Sequence, residues 1–556
     1  MRRSQLHAPT LRENPTEAET ISHRMLLRAG FIRPLSSGIY SMLPLGLRVK
    51  RKIENIIRDE MNRIGGLEFD LPRLQPSEVW KESGRWNAIQ TEMLRLRDRS
   101  GREMCLGMTH EEIFTALAKE LRSYRELPAI WYQIATKFRD EPRPRGGMIR
   151  LREFTMKDSY SFALDDAGLE EAFRAHEAAY RRIFDRCGVE VVVARADNGL
   201  MGGTDSLEFV APLSAGEDWV AVSSGGYAAN LDVATSALEP ISDEGIETDV
   251  KEFATPGVLT IDALERFGVP ATRQMKTLVY VAQGEPVVIM LRGDHQLNET
   301  KLAHVLGTMD LRAAEPDEAY DLMGANFGSL GPVGVKARIV ADRALEGRRG
   351  MVSGANRDGY HLSNLEPGRD FSCRFADVRM VKDGEPAPDG SGPITVKRGL
   401  ELGHIFKLGT RYASALGAAV AGKDGKSTPL VMGSYGIGVE RLMAAIAERY
   451  ADDRGLVWPK AVAPFDVTIL ELGETNGAAA GLHDELQAAG LEVLLDDRDE
   501  RAGVKFTEFE LIGVPLAVVV GSRGLERGVV ELRERATGVN REVKLEEIRS
   551  VLLETP

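Results

Sequence analysis

The densest chemistry in the chain lies between Lys137 and Lys157, where seven basic residues face three acidic ones, a local excess of +4 in a protein of formal net charge −13. The run reads Lys137-Phe138-Arg139-Asp140-Glu141, then a proline- and glycine-rich loop, then Arg150-Leu151-Arg152-Glu153-Phe154. Guanidinium forks bind phosphate oxygens in pairs, a carboxylate accepts from an exocyclic amine, and a phenyl ring stacks on a base. Arg139, Glu141, Arg150 and Phe154 on one face of a hairpin would supply what a nucleoside triphosphate needs. A solvated, salt-bridged hairpin is the plainer reading of this run taken alone. The second such segment is Met432-Gly433-Ser434-Tyr435-Gly436-Ile437-Gly438-Val439-Glu440-Arg441. Its glycines let a ligand approach the strand backbone, and Arg441 opens a helix. The spacing is GxxGxG, not the GxGxxG of a dinucleotide site. Two stretches fall short of a phosphate-binding P-loop: Asp424 stands where the Ser/Thr magnesium ligand belongs, and Val420 where the alternative frame needs its first glycine.

Positioning these residues requires a scaffold, and the periodicity predicts one. Apolar Val49, Ile53, Ile56, Ile57, Met61 and Ile64 recur at helical spacing over 45–64, and Gly65-Gly66 ends the run. Residues 67–75 predict an edge or interface strand because Pro72 lies inside it. Residues 108–118 read as a helix with Thr109 at its N-cap. Strands are expected at 131–138 and 148–156, joined as a hairpin by the turn 140–147. From Ser223 the composition changes, and the acidic stretch 239–249 reads as a linker. Strands at 278–282 and 287–291 and a helix at 298–306 follow, and turn-rich 383–393 closes an insertion of domain size. After the glycine-rich passage 433–448, strands at 467–470, 491–495 and 516–520 alternate with helices at 478–489 and 505–511, with a closing helix near 545. That order predicts an α/β domain with a largely parallel core. The division is 1–222, 223–396, 397–462 and 463–556.

Composition narrows the class. Of 556 residues 43% are hydrophobic and 28% charged, a globular balance, and no apolar run approaches the ~20 residues that cross a bilayer. The first 22 residues show no apolar centre of a secretory signal. Cys105, Cys187 and Cys373 form no CxxC pair, which argues against a disulfide framework or a cysteine-rich zinc site. These features predict a soluble, multidomain, cytoplasmic protein with no membrane partner. Its negative charge means that any nucleic acid must be held by local patches and specific contacts.

In this order the segments resemble a class II aminoacyl-tRNA synthetase. The family's second motif, FRxE, a loop, then (R/H)xxxF, is matched by Phe138, Arg139, Glu141, Arg150 and Phe154. Its third, a glycine-rich strand into Glu-Arg, is matched by Gly436, Gly438, Glu440 and Arg441, and its first, a helix and a strand ending in proline, by 45–72. Within that class the chain is similar to bacterial-type prolyl-tRNA synthetases at 107–112, 136–157, 401–406, 457–459 and 494–498, and in carrying an insertion between the second and third motifs. It departs at Lys407, where glutamine is expected, and at Ser434, where cysteine is frequent.

The resemblance implies an α/β chain with an α+β catalytic core. An antiparallel sheet would be flanked by helices, with an inserted α/β editing domain, a C-terminal α/β anticodon-binding domain, and a homodimer formed through the first-motif helix and strand. It implies a ligase that activates L-proline with ATP and Mg2+ and transfers it to tRNA(Pro). Arg139 would bridge the proline carboxylate and the α-phosphate. Glu141 would read the adenine amine, Phe154 would stack on the ring, and Arg150 with Arg441 would neutralise the outer phosphates. Glu401 would be the magnesium ligand. Thr109 and Glu111 would hold the charged ring nitrogen of proline, with His404 lining the same pocket unless it is a buried structural histidine.

A proline-sized pocket rejects alanine weakly, since a lost methylene is worth ~1–3 kcal/mol. Lys276, the loop from Gly328 to Pro332, and His361 resemble the family's hydrolytic editing site, although Lys276 and His361 also read as surface and loop residues. Residues 292–295 read as structural. From Ala463 onward 10 basic residues face 19 acidic ones, so anticodon reading would use base edges and stacking. Asp497, Arg498, Arg501, Lys505 and Phe506 are its candidates, with a solvated turn the alternative for 496–500. No zinc is expected, neither in a C-terminal tail nor in a pocket of the threonyl type. The rivals are a threonyl or glycyl relative and a noncatalytic paralogue, which would have lost motif residues that this chain keeps.

Overall fold

The computed structural model describes all residues except 90, 239–240, 244–246 and 555–556, so part of the expected linker 239–249 lies outside the described residues. Two compact units emerge: Met1–Ala194 with Asn198–Asp218 and Arg398–Pro556, and Arg195–Asp197 with Trp219–Lys397.

In the first unit, helix Pro44–Arg63 begins on a proline, whose missing N–H costs nothing in the first turn. Its stripe Val49, Ile53, Ile56, Ile57 and Met61 is buried. The helix stops at Gly65 (φ +81°), and the Gly66 N–H donates to Met61 O at 2.9 Å. Glu60, on the same helix, accepts from Arg182 (2.6 Å) and Arg186 (2.9 Å) of helix Asp166–Arg186, fastening the two together. The segment after Pro44–Arg63 splits around Pro72. Leu67–Glu68 runs parallel to Ala129–Phe138, while Leu74–Pro76 joins a separate small sheet.

The large sheet of this unit pairs Asp205–Ala211, Ile394–Gly409, Val431–Gly438, Glu153–Ala163 and Ala129–Phe138 in that order, each antiparallel to the next. Two expectations need correction. The hairpin's second strand is Glu153–Ala163, not 148–156, and the register closes at Phe138↔Glu153. Gly146 and Gly147 both take positive φ (+64° and +63°), and Met148, Ile149 and Leu151 are all buried where a strand would alternate. Arg139, Glu141 and Arg150 therefore stand beyond the paired ends. The helix at 108–118 starts later, as Glu111–Ala118, with His110 before it; the Thr109 hydroxyl donates to Glu111 rather than capping a backbone amide.

Strand Val431–Gly438 passes directly into helix Val439–Tyr450. At the end of the chain Val493–Asp496, Val467–Leu472 and Leu516–Gly521 form a parallel core, extended by an unexpected antiparallel hairpin, Val529–Glu534 with Asn540–Lys544. The closing helix is Ile548–Glu554. Arg48 of the long helix donates to Pro464 O (2.6 Å) and packs over Phe465, while Lys52 pairs with Glu492 (2.6 Å). These contacts tie the C-terminal sheet to the long helix.

The second unit holds a five-stranded sheet ordered Leu311–Ala313, Met275–Ala282, Glu285–Arg292, Arg338–Asp342, Arg374–Ala376, and a three-stranded one, Lys251–Ala254, Tyr360–Leu365, Met351–Gly354. Helix Glu299–Leu306 is capped by the Asn298 side chain. No helix among the described residues is long and apolar enough to cross a membrane.

Candidate active site

The large sheet pairs the strands of the two arginine-bearing motifs, and Arg441 reaches the hairpin loop at Ile149. Glu440, at the start of helix Val439–Tyr450, accepts from the Thr155 amide (2.7 Å) and pairs with Lys50 (3.1 Å), so three elements fix the helix terminus. Arg441 then donates to Glu401 Oε2 (2.9 Å), Glu401 O (3.1 Å) and Ile149 O (3.0 Å). Arg139 lies over the Phe154 ring, 5.2 Å from its centroid, and its Nε has no partner among the described residues. Burial, and then repulsion from Arg441, lowers the Arg139 proton affinity, while Glu401 opposes the change.

Glu401 is in contact with Arg441 and feels the charge of Arg139. Burial would raise its carboxyl; the hydrogen bond from His404 and the charges of Arg441, His404 and Arg139 outweigh burial and hold it down at about 2. His404 Nδ1 lies 3.1 Å from Glu401 and 3.6 Å from Glu208, and its ring stacks on Phe406 at 3.8 Å. The ligand atoms of Glu208, Glu401 and His404 all fall within 4.8 Å of one another. Two hard carboxylates so placed fit a magnesium ion that completes its shell with phosphates and water. Glu208 was not expected from sequence, since a lone glutamate in a strand carries no pattern.

The two residues expected to meet the nucleotide are engaged with each other. Arg150 Nε is 2.9 Å from Glu141, and its Nη1 donates to Glu217 at 3.2 Å; Glu217 also binds Arg145. The Glu141 hydrogen bond is the main reason that the Arg150 guanidinium is held more firmly protonated.

The expected amino-acid pocket centres on Glu111, which is 1% exposed. Its Oε2 accepts from Thr109 Oγ1 (2.6 Å) and Arg85 Nη1 (3.0 Å), and its Oε1 from Ser434 Oγ (3.0 Å). The single Tyr160 proton is shared among Asp158 (3.1 Å), Glu111 (3.3 Å) and Thr109 (3.4 Å). So many donors leave Glu111 little capacity for a ligand. The hydroxyl proton of Thr109 is committed to Glu111, which leaves Thr109 lone pairs to offer. Beneath them Lys137 donates to Asp158 (2.7 Å) and His110 Nδ1 (2.9 Å), which puts the imidazole proton on Nε2, facing Pro72 O at 3.1 Å. Burial, then Lys137, pushes His110 down to about 4, so it stays neutral. Sequence reasoning missed Arg85, Tyr160 and Asp158, which belong to no motif. Ser434, noted only as a departure, points into the pocket, whereas Lys407 pairs outside it with Glu170 (2.8 Å) and Asp205 (3.2 Å).

In the second unit the expected residues gather around strand Met351–Gly354. His361 pairs with Gly354 and bonds Thr255 at 2.6 Å; a Cβ on Gly331 would stand 1.8 Å from Gly354 O; and Ser353 Oγ binds Met275 O (3.1 Å), next to Lys276. Gly328 takes φ +97°. Lys276 Nζ donates to His295 O at 2.8 Å, so segment 292–295 holds it. The amides of Ser329 and Gly331 are taken by Asn326 and Asn356, which reduces what the loop up to Pro332 can offer an ester.

The anticodon candidates diverge. Asp497 is held by Ser4 (2.9 Å) and Arg2 (3.4 Å), and Arg498 by Asp496 (2.7 Å) and Glu508 (2.9 Å). Lys505 is 3% exposed, and its ammonium is fixed on Glu471 O (2.6 Å) and Asp496 O (3.0 Å). Phe506 lies under Arg533, and Arg501 is exposed.

Comparison with known proteins gives the family. Residues 92–450 match the model of the tRNA synthetase class II core domain (G, H, P, S and T), and residues 466–555 that of the anticodon binding domain. A proline–tRNA ligase of Anaeromyxobacter sp. (strain Fw109-5) is 51% identical over 99% of this chain and 97% of its own. One of Limosilactobacillus fermentum is 47% identical over 99% and 98%. Among solved structures, prolyl-tRNA synthetase of Giardia lamblia in complex with prolyl-adenylate aligns with TM-score 0.58 at 16% identity, covering 95% of this chain and 75% of that one. That of Cryptosporidium parvum, complexed with halofuginone and AMPPNP, gives 0.57 at 14%, covering 96% and 76%.

Proposed function

Because the chain belongs to the proline–tRNA ligases of the class II aminoacyl-tRNA synthetases, we propose that its residues divide the reaction as follows. The proline carboxylate attacks the α-phosphorus of ATP, a bond forms between them, and pyrophosphate leaves with the electron pair. Two anions must meet, so charge neutralisation and alignment dominate the barrier. Arg139 bridges the carboxylate and the α-phosphate. Arg441 and Arg150 take the outer phosphates, Glu141 accepts from the adenine amine, and Phe154 backs the ring. Magnesium, held by Glu401 with Glu208, would neutralise charge on the phosphates. Thr109 accepts from the secondary ammonium, and His404 walls the pocket. The terminal ribose hydroxyl of tRNA(Pro) then attacks the acyl carbon and AMP departs. The observation that supports this reading is the contact of Arg441 with Glu401 at 2.9 Å, with Arg139, over Phe154, close enough to feel the charges of both.

We further propose that Lys276, His361 and the loop from Gly328 to Pro332 clear alanyl-tRNA(Pro), and that the exposed turn at Arg501, with Phe506 beside it, contributes to anticodon reading. Two copies would pair through the first-motif helix and strand, where Leu67 is 60% exposed and Leu74 48%. The cytoplasm is the expected site of the reaction. Pyrophosphate exchange tests the ligase assignment of these residues. Arg441→Ala should abolish proline-dependent exchange and spare tRNA binding. Exchange supported by threonine or glycine and not proline would overturn the pocket assignment. Lys276→Ala should slow deacylation of alanyl-tRNA(Pro) while prolylation continues, and unchanged deacylation removes Lys276 from the site.

A further inference from the structure

Arg85 belongs to no motif, yet it is 3% exposed and flanked by the rings of Trp80 (5.1 Å) and Tyr412 (5.6 Å). Its Nη1 meets Glu111 Oε2 at 3.0 Å and both oxygens of Glu112 at 3.2 Å, while Glu112 also accepts from Ser83 at 2.8 Å. Among the described residues Arg85 is the only cation in hydrogen-bond contact with Glu111. We propose that Arg85 is a positioning residue: it keeps the Thr109 hydroxyl proton committed to Glu111, so that the pocket offers a secondary ammonium acceptors only. The inference rests on Thr109 receiving that ammonium.

The reasoning is one of hydrogen-bond polarity. A secondary ammonium has two N–H donors and no lone pair, whereas a threonine hydroxyl can donate or accept. At 2.6 Å from an ionised Glu111 the hydroxyl donates to it and turns lone pairs outward. A neutral Glu111 would release the hydroxyl to point its proton at the substrate. Two adjacent buried carboxylates resist joint ionisation, and one guanidinium serves both. Burial raises each; for Glu111 the Arg85 charge and the Thr109 hydrogen bond prevail and its proton affinity falls, while Glu112, which also feels Glu111, stays above its usual range.

The test uses the full-length protein and pyrophosphate exchange. Arg85→Met should raise the proline KM at least twentyfold and leave the ATP KM within twofold. Without its cation Glu111 binds a proton more readily, so kcat/KM for proline should climb between pH 6 and pH 9 where the parent is flat. Tyr160, Asp158, Lys137 and His110 face Glu111 in both proteins, whereas Glu112 and Tyr412 lose the Arg85 charge as Glu111 does, so the pH profile of Arg85→Met/Glu112→Gln, in which residue 112 cannot titrate, is the one that reports Glu111. Arg85→Met/Glu112→Gln removes both charges of the second pair and should keep the proline defect. Recovery of the proline KM there would overturn the proposal, leaving Arg85 a neutraliser of Glu112 alone. Equilibrium dialysis of ATP reports folding; if Arg85→Met does not retain ATP, the double variant, with one unpaired buried charge instead of two, decides between the two roles. Thr109→Val separates the premise: a parental proline KM there means the ammonium lies elsewhere, whereas a raised one beside a parental Arg85→Met KM refutes the role of Arg85 only.

Discussion

Arg150 has more partners than it can keep once a nucleotide arrives. It is held by Glu141 at 2.9 Å and Glu217 at 3.2 Å, yet the proposed reaction asks it for a phosphate and asks Glu141 for the adenine amine. The pair keeps both side chains in the site without a ligand, and ATP must pull it apart. Glu217 competes with the phosphates and has no part in reading the base, so Glu217→Gln should lower the ATP KM by about two- to fivefold. This follows from the ~1 kcal/mol that a half-exposed ion pair supplies. An ATP titration of exchange at saturating proline checks this, and a raised KM would mean that Glu217 orients Arg150 for the phosphates. At this scale the sequence was informative where residues come in fixed order. Arg139, Glu141, Arg150, Phe154 and Arg441 sit in patterned segments, and the fold brings them together. Arg85, Glu208 and Ser434 reach the site through burial and register, which spacing along a chain does not encode.

Elements set what those residues can do. The first-motif helix was legible because its apolar stripe obeys a 3.6-residue period and glycine ends it. The loop 146–152 was not: Met148, Ile149 and Leu151 look like strand residues, and only the positive φ of Gly146 and Gly147 and their common burial reveal a folded-back loop. The hairpin Val529–Glu534 with Asn540–Lys544 was missed for the opposite reason. Charged residues crowd its outer face, and only Val530, Leu532 and Val543 are buried. In the inserted unit, Gly331 packs where no side chain fits, with Gly354 O 1.8 Å from the place a Cβ would take. The obstacle is backbone and cannot swing away. Gly331→Ala should therefore displace the loop from strand Met351–Gly354 and lower alanyl-tRNA(Pro) deacylation at least tenfold. Proline-dependent exchange should stay within twofold. Deacylation at the parental rate would show that the loop is not part of that chemistry.

On the scale of the whole chain, alternating patterns exposed the C-terminal α/β region but gave no sign of how it is fastened. The ties are single long-range contacts: Arg48 and Lys52 to 464–492, Arg3 to Glu508 at 3.0 Å, and Arg535 to Asp452. The last is the most deeply set. Arg535 is 2% exposed and reaches both oxygens of Asp452, at 2.7 and 2.8 Å, just beyond helix Val439–Tyr450, while its Nε donates to Glu510 O at 2.9 Å. The Arg535 hydrogen bond comes first among the causes that hold the Asp452 carboxyl far below the usual carboxylate range; burial opposes it, and the Arg535 charge and the amides of Gly455 and Arg454 reinforce it. A carboxyl with depressed folded-state proton affinity stabilises fully above its unfolded pKa, about 3.9, and loses that contribution as pH falls toward the folded value. Asp452→Asn keeps the shape, removes the charge, and leaves a buried guanidinium facing a neutral amide. It should cost about 1 kcal/mol at pH 7, because the Asp452 side chain is 39% exposed and water screens its charge. Thermal unfolding of parent and variant from pH 7 downward should show the full gap above pH 5 and a narrowing gap below pH 4. A gap that ignores pH would assign the junction to packing and not to the ion pair.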